Sequence, residues 1–141
     1  MQAAARVGAV FCGASMLFIA SVQTSMLDHW AKFIPLVIFV AWNCVPAAIG
    51  IWALSSTRMR TPLRFAGALG FALVATILPA LFHFAWIIDW QGTASGSSTS
   101  ALAFIFVPPW TLVFGCVAAL AAAASVVAVR FVGRRGGRRA A

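Results

Sequence analysis

The sequence predicts an all-α integral membrane protein: a four-transmembrane-helix bundle with both its N- and C-termini in the cytoplasm. Three observations carry that expectation. The chain of 141 residues is 63% hydrophobic and 9% charged, with a mean hydropathy of +1.00, whereas a soluble domain carries about 25% charged residues. Four long apolar stretches run nearly free of charge, and about 20 residues of helix cross a hydrocarbon core of about 30 Å. Finally, nine of the ten basic residues fall in three places: Arg6; Arg58, Arg60 and Arg64; and Arg130, Arg134, Arg135, Arg138 and Arg139.

The arginine map orients the bundle. Placing both termini inside puts those arginines on one face and leaves only Lys32 among the outer connections. Positively charged loops are retained on the cytoplasmic side, so this asymmetry selects one topology. The only acids, Asp28 and Asp89, lie in the two gaps that the arginines avoid. Trp30, Trp86, Trp90 and Trp110 gather at the outer boundary, and Trp52 lies at the inner one, as interfacial aromatics do. A bacterial inner membrane is the expected location.

The first span is expected over residues 7–27, where Arg6 precedes a long apolar run. That arrangement resembles a signal peptide, but Ala20-Ser21-Val22-Gln23 offers no clean A-x-A site and Phe11 precedes Cys12 where a lipoprotein needs a small residue. An uncleaved span is the expectation. The second span is expected over 33–54 and the third over 65–88. The fourth apolar region, Ala101–Phe131, would measure about 46 Å as one helix, too long for a simple crossing. Pro108-Pro109 interrupts it, and the residue before a proline is disfavoured in helix. The region is therefore expected to break there, with the span over 109–131 and Ala101–Val107 as an interfacial or re-entrant piece. A single helix kinked at the prolines is the alternative. Residues 1–132 form one domain, and 133–141 a basic cytoplasmic tail too short to fold.

Polar residues inside spans are few, and each costs free energy unless it finds a partner. Asn43 and Thr76 sit at matching depths, about 15 and 18 Å from the outer ends of their spans, so they are expected to meet across an antiparallel pair. Pro46 also removes the amide that would bond the Trp42 carbonyl, leaving an acceptor near Asn43. Gln23 and His83 lie nearer the outer ends and are candidates for a second polar layer, beside a kink at Pro79. In the loop, Ser98, Thr99 and Ser100 precede an apolar segment and Pro-Pro, a layout with some likeness to a pore loop. These seven residues are the candidate polar interior or pore lining.

Gly115, Ala119 and Ala123 form a small-residue stripe in the fourth span, which suits close helix packing. Arg58, Arg60, Arg64, Arg134, Arg135, Arg138 and Arg139 are assigned to topology and anionic-lipid contact. The cysteines form no CxxC pair and no zinc-spaced cluster, no G-x-S-x-G is present, and no carboxylate lies in a span. No catalytic, cofactor-binding or metal residues are assigned. The net charge of +8 flanks spans rather than covering a soluble face, which excludes a nucleic-acid partner. The expected partners are the lipid bilayer and either a second membrane protein or further copies of the chain. The function class that follows is a non-enzymatic accessory, assembly or immunity-type subunit. The alternative is a homo-oligomeric channel or permeability protein, phage-related ones included.

Overall fold

The computed structural model describes residues 2–24, 33–56, 61–90 and 103–139, and every regular element among them is an α-helix. The order is α1 (Gln2–Thr24), α2 (Phe33–Ser55), α3 (Pro62–Ile87) and α4 (Ala103–Arg139). Each is long and apolar enough to cross a membrane. The protein is a multi-pass membrane protein of four spans.

Local chemistry sets the clearest boundaries on α3. Thr61 is extended, and its hydroxyl accepts from the Arg64 amide at 3.4 Å, while Pro62 opens the helix where no amide is needed. At the other end Asp89 turns into the left-handed region, with φ 47°. That turn lets the Ile88 amide bond the Phe84 carbonyl and the Asp89 amide bond that of Trp86.

Contacts between the helices give their directions. Cys12 meets Ala72, and Gln23 meets His83, so α1 and α3 run parallel. Cys44 reaches Met16 while Gly50 lies against Cys12, so α2 runs against α1. Phe82 packs on Phe104 while Gly70 lies against Ala118, so α4 runs against α3 and therefore with α2, where Trp42 meets Ile105. Arg6, Arg64 and Arg130 thus share one end of the bundle, and Trp86, Trp90 and Trp110 lie toward the other. Among the described residues α3 touches all three other helices, whereas α1 and α4 do not meet. The cross-section is a rhombus with α2 and α3 on its short diagonal.

Small residues let the backbones close up. A Cβ on Gly50 would lie 3.3 Å from Ala72 and from the Cys12 sulfur, so α1, α2 and α3 converge there. A Cβ on Gly70 would lie 2.8 Å from the Ala118 carbonyl oxygen, which brings α3 against α4. In a membrane, where lipid tails are as apolar as leucine, such close approach is what drives association.

The fourth apolar region departs from expectation. It does not break at Pro108-Pro109: α4 starts at Ala103 and passes through both prolines as one helix of 37 residues. Two freed carbonyls result, those of Phe104 and Ile105, because each proline lacks the amide that would bond four residues back. The Ile105 carbonyl finds a donor outside the helix, the indole Nε1 of Trp42 at 3.0 Å. Membrane helices tolerate proline when a neighbour supplies such a donor. Residues 103–107 are therefore the first turns of the span, not a separate segment; 101 and 102 lie outside the described residues. The basic tail also differs from expectation, since α4 continues to Arg139. Extending an existing helix avoids the cost of nucleating one.

Candidate functional site

The interior holds two polar layers. The first is built around Thr76 in α3. Its Oγ1 donates to the Ala72 carbonyl at 2.7 Å and lies 3.1 Å from the Cys12 sulfur. One turn along α1, the Ser15 hydroxyl donates to the Thr76 carbonyl at 3.1 Å. Cys12, Ser15 and Thr76 are all buried. Two spans are thus joined by hydroxyl and thiol groups that find partners without water.

The second layer joins α1 to α3 nearer the tryptophan end. His83 Nδ1 lies 2.8 Å from the Pro79 carbonyl, one turn back in its own helix. A carbonyl only accepts, so Nδ1 carries the proton, and Nε2 of the neutral ring is an acceptor. Gln23 Nε2 donates to it at 3.2 Å. The Gln23 Oε1 atom is buried and has no hydrogen-bond partner. Both side chains are sealed, with Gln23 1% and His83 0% exposed.

Phe104, from the first turn of α4, closes this layer. Its ring packs edge-on against Phe39, Phe82, His83 and Trp86, with centroids 5.8, 5.0, 5.0 and 4.6 Å away. Such arrangements place the positive edge of one ring against the negative face of another. The lid over His83 is therefore aromatic and drawn from three helices.

Each candidate from the sequence can now be placed. Gln23 and His83 are brought together. Asn43 and Thr76 are not: Asn43 Nδ2 donates to the Phe39 carbonyl in its own helix at 3.0 Å, and Thr76 turns toward α1. The depth argument matched their heights but not their faces. Asn43 is fully buried and its Oδ1 has no hydrogen-bond partner. Gly115 is buried against the Phe71 ring, and a Cβ on Gly67 would lie 3.4 Å from the Ala119 carbonyl. Ala123 is half-buried. Arg64 is exposed in the first turn of α3. Ser98, Thr99, Ser100, Arg58 and Arg60 lie outside the described residues, as do the side chains of Arg134, Arg135, Arg138 and Arg139.

Sequence reasoning missed Cys12, Ser15, Trp42, Phe104 and Thr111. Cys12 was given no place among the interior polar candidates, yet its sulfur meets Thr76 Oγ1. Thr111, fully buried, donates to the Val107 carbonyl at 2.7 Å, a bond internal to α4. The Trp42 contact was partly legible, because Pro109 implies a carbonyl at Ile105 in want of a donor.

Shallow apolar grooves mark the outside. One between α1 and α3 has a volume of about 350 Å³, with Thr76 at its floor among Gly8, Phe11, Leu69 and Ile77. Among the described residues no group of three His, Cys, Asp or Glu side chains is arranged to hold a metal ion. No protein-family model, curated protein or solved structure matches the chain.

Proposed function

We propose that this chain is a small, non-enzymatic subunit of a bacterial inner membrane that binds a membrane-protein partner, in an accessory, assembly or immunity-type role. Both termini face the cytoplasm in this reading, a placement supported by the arginine-rich end. There the arginines contact anionic lipid.

The observation that carries the reading is where the intramembrane polar groups point. Gln23, Asn43, Thr76 and His83 are each no more than 7% exposed within a single chain. The described surface of the spans is mostly apolar, as at Leu17, Ile38, Leu81, Val117 and Leu120, and the exposed hydroxyls of Thr24, Ser55 and Ser125 donate to carbonyls of their own helices. A lining shared between copies would need polar groups on that outer surface. An outer surface of this kind suits contact with lipid and with other transmembrane helices.

A photoreactive amino acid at Leu17, Leu81 or Leu120 tests this in cells. The expected outcome is a crosslink from at least one of these positions to one distinct membrane protein, and none from the buried position Ile19. Crosslinks only to further copies of the chain would overturn the reading.

One observation favours the alternative, a homo-oligomeric channel or permeability protein. Gln23 Oε1 and Asn43 Oδ1 are buried acceptors without hydrogen-bond partners, as atoms facing an internal water path would be. Vesicles containing the purified chain then leak ions or small solutes, and Asn43→Leu or His83→Leu changes the leak. Leak equal to that of empty vesicles removes this alternative.

A further inference from the structure

We infer that His83 and Gln23 together form a proton-binding site in the bundle interior, with the Gln23 amide able to serve both protonation states of the ring. The Pro79 carbonyl, 2.8 Å from Nδ1, holds a proton on that nitrogen. Any second proton must therefore go to Nε2, the atom that faces Gln23 at 3.2 Å. In the neutral state the amide donates its N–H to Nε2, and Oε1 is left buried without a partner. Protonation forms an Nε2–H bond, the proton arriving from hydronium and leaving water behind. The amide then turns over about its last torsion, a broad two-fold rotation, and Oε1 accepts from Nε2–H. The idle acceptor of the neutral state becomes the partner of the charged one.

That second bond is charge-assisted and about twice as strong as a neutral one. It replaces the amide's N–H···Nε2 bond, so one hydrogen bond joins α1 to α3 in either protonation state. Among the described residues, Gln23 is the polar side chain that meets Nε2. Phe82 packs edge-on to the ring from α3, and Phe104, itself packed on Trp86 and on Phe39 of α2, covers it from α4. None of these titrates. The titratable groups of α1 are Arg6 and Cys12, and the nearer of them lies eleven residues from Gln23, about 16 Å along the helix. In α2 the titratable group is Cys44, bonded at the level of Met16, and in α4 they are Cys116 and the arginines from Arg130 onward. On α3 itself the acid of the same end is Asp89, in the turn after the helix. His83 precedes the end of α3 at Ile87 by four residues, about 6 Å, a short path for a proton from the tryptophan end.

The test is ¹⁵N NMR of the full chain in lipid nanodiscs, with the His83 signals assigned by their loss in His83→Gln. At neutral pH the expected ring is the Nδ1–H tautomer. On acidification Nε2 should gain a proton, and the Gln23 side-chain amide signal should shift with the same midpoint. Gln23→Leu, which removes the acceptor, should lower the proton affinity of His83 about tenfold or more, equivalent to one pH unit. An Nε2–H tautomer at neutral pH overturns the inference, as does a ring that stays neutral to about pH 4, far below the ordinary histidine range. A Gln23 amide that ignores the titration also overturns it. This co-titration is read in the unmutated chain, so it decides the matter even if Gln23→Leu fails to fold.

Discussion

The indole Nε1 of Trp42 donates to the carbonyl of Ile105 at 3.0 Å, the acceptor that Pro109 leaves without its helical donor. One side chain of α2 thus repairs the backbone of α4 at the point where two prolines would break it. A ring that is 40% exposed on the apolar surface supplies the repair, so the bond forms without competition from other donors.

Trp42→Phe keeps most of the ring and removes the donor. The expected loss of stability is about 0.5–2 kcal/mol, the range for a hydrogen bond within a membrane bundle. Reversible unfolding in mixed detergent measures it, and amide exchange should rise at the first turns of α4. Trp52→Phe, at a more exposed position, should leave both unchanged.

Gly70→Ala places a methyl 2.8 Å from the Ala118 carbonyl oxygen and 3.0 Å from Ala122 Cβ. Neither neighbour has a flexible end that can move aside, so α3 and α4 must separate, at a cost of about 1–3 kcal/mol. Gly13→Ala adds the same methyl where nothing lies within 4 Å. It should stabilise α1 by up to about 1 kcal/mol through helix propensity. Thermal unfolding of the two variants in one detergent should move in opposite directions.

Asp89 holds φ at 47° as α3 ends. Aspartate and asparagine tolerate this region, whereas a β-branched residue is strained there. Asp89→Asn is expected to keep the melting temperature within the error of the parent. Asp89→Val should cost about 1–2 kcal/mol. Equal melting temperatures for the two variants would contradict the assigned turn.

Thr76→Val deletes a hydroxyl that bonds its own helix and touches Cys12, but leaves the Thr76 carbonyl that accepts from Ser15. The loss is expected to be small, about 0.6 kcal/mol, typical of a single interhelical bond in a membrane protein. Ser15→Ala should cost a similar amount, and the double variant should be close to additive, because the two hydroxyls use different atoms of Thr76. Strong non-additivity in a double-mutant cycle would show a single coupled network instead.

The number of spans was legible in the sequence because it rests on length and hydropathy, which need no tertiary information. The second and third boundaries were legible for the same reason, with Thr61-Pro62 moving the start of α3 a few residues forward. The continuity of α4 was not legible. Pro108-Pro109 locally disfavours helix, and the compensating donor sits in α2, 63 residues before Ile105 in the chain. Within the interior, depth along a span correctly suggested that Gln23 and His83 share a layer. Depth alone failed for Asn43 and Thr76, because it fixes height but not the rotation of each helix. That rotation is set by the close approach of Gly50 to Ala72 and Cys12, a property of three helices together.

Native mass spectrometry of the tagged chain, extracted from its own membrane in mild detergent, tests the partner-binding account most directly. The account predicts a complex of the chain with one distinct membrane protein at fixed stoichiometry. A series of assemblies containing this chain alone would contradict it.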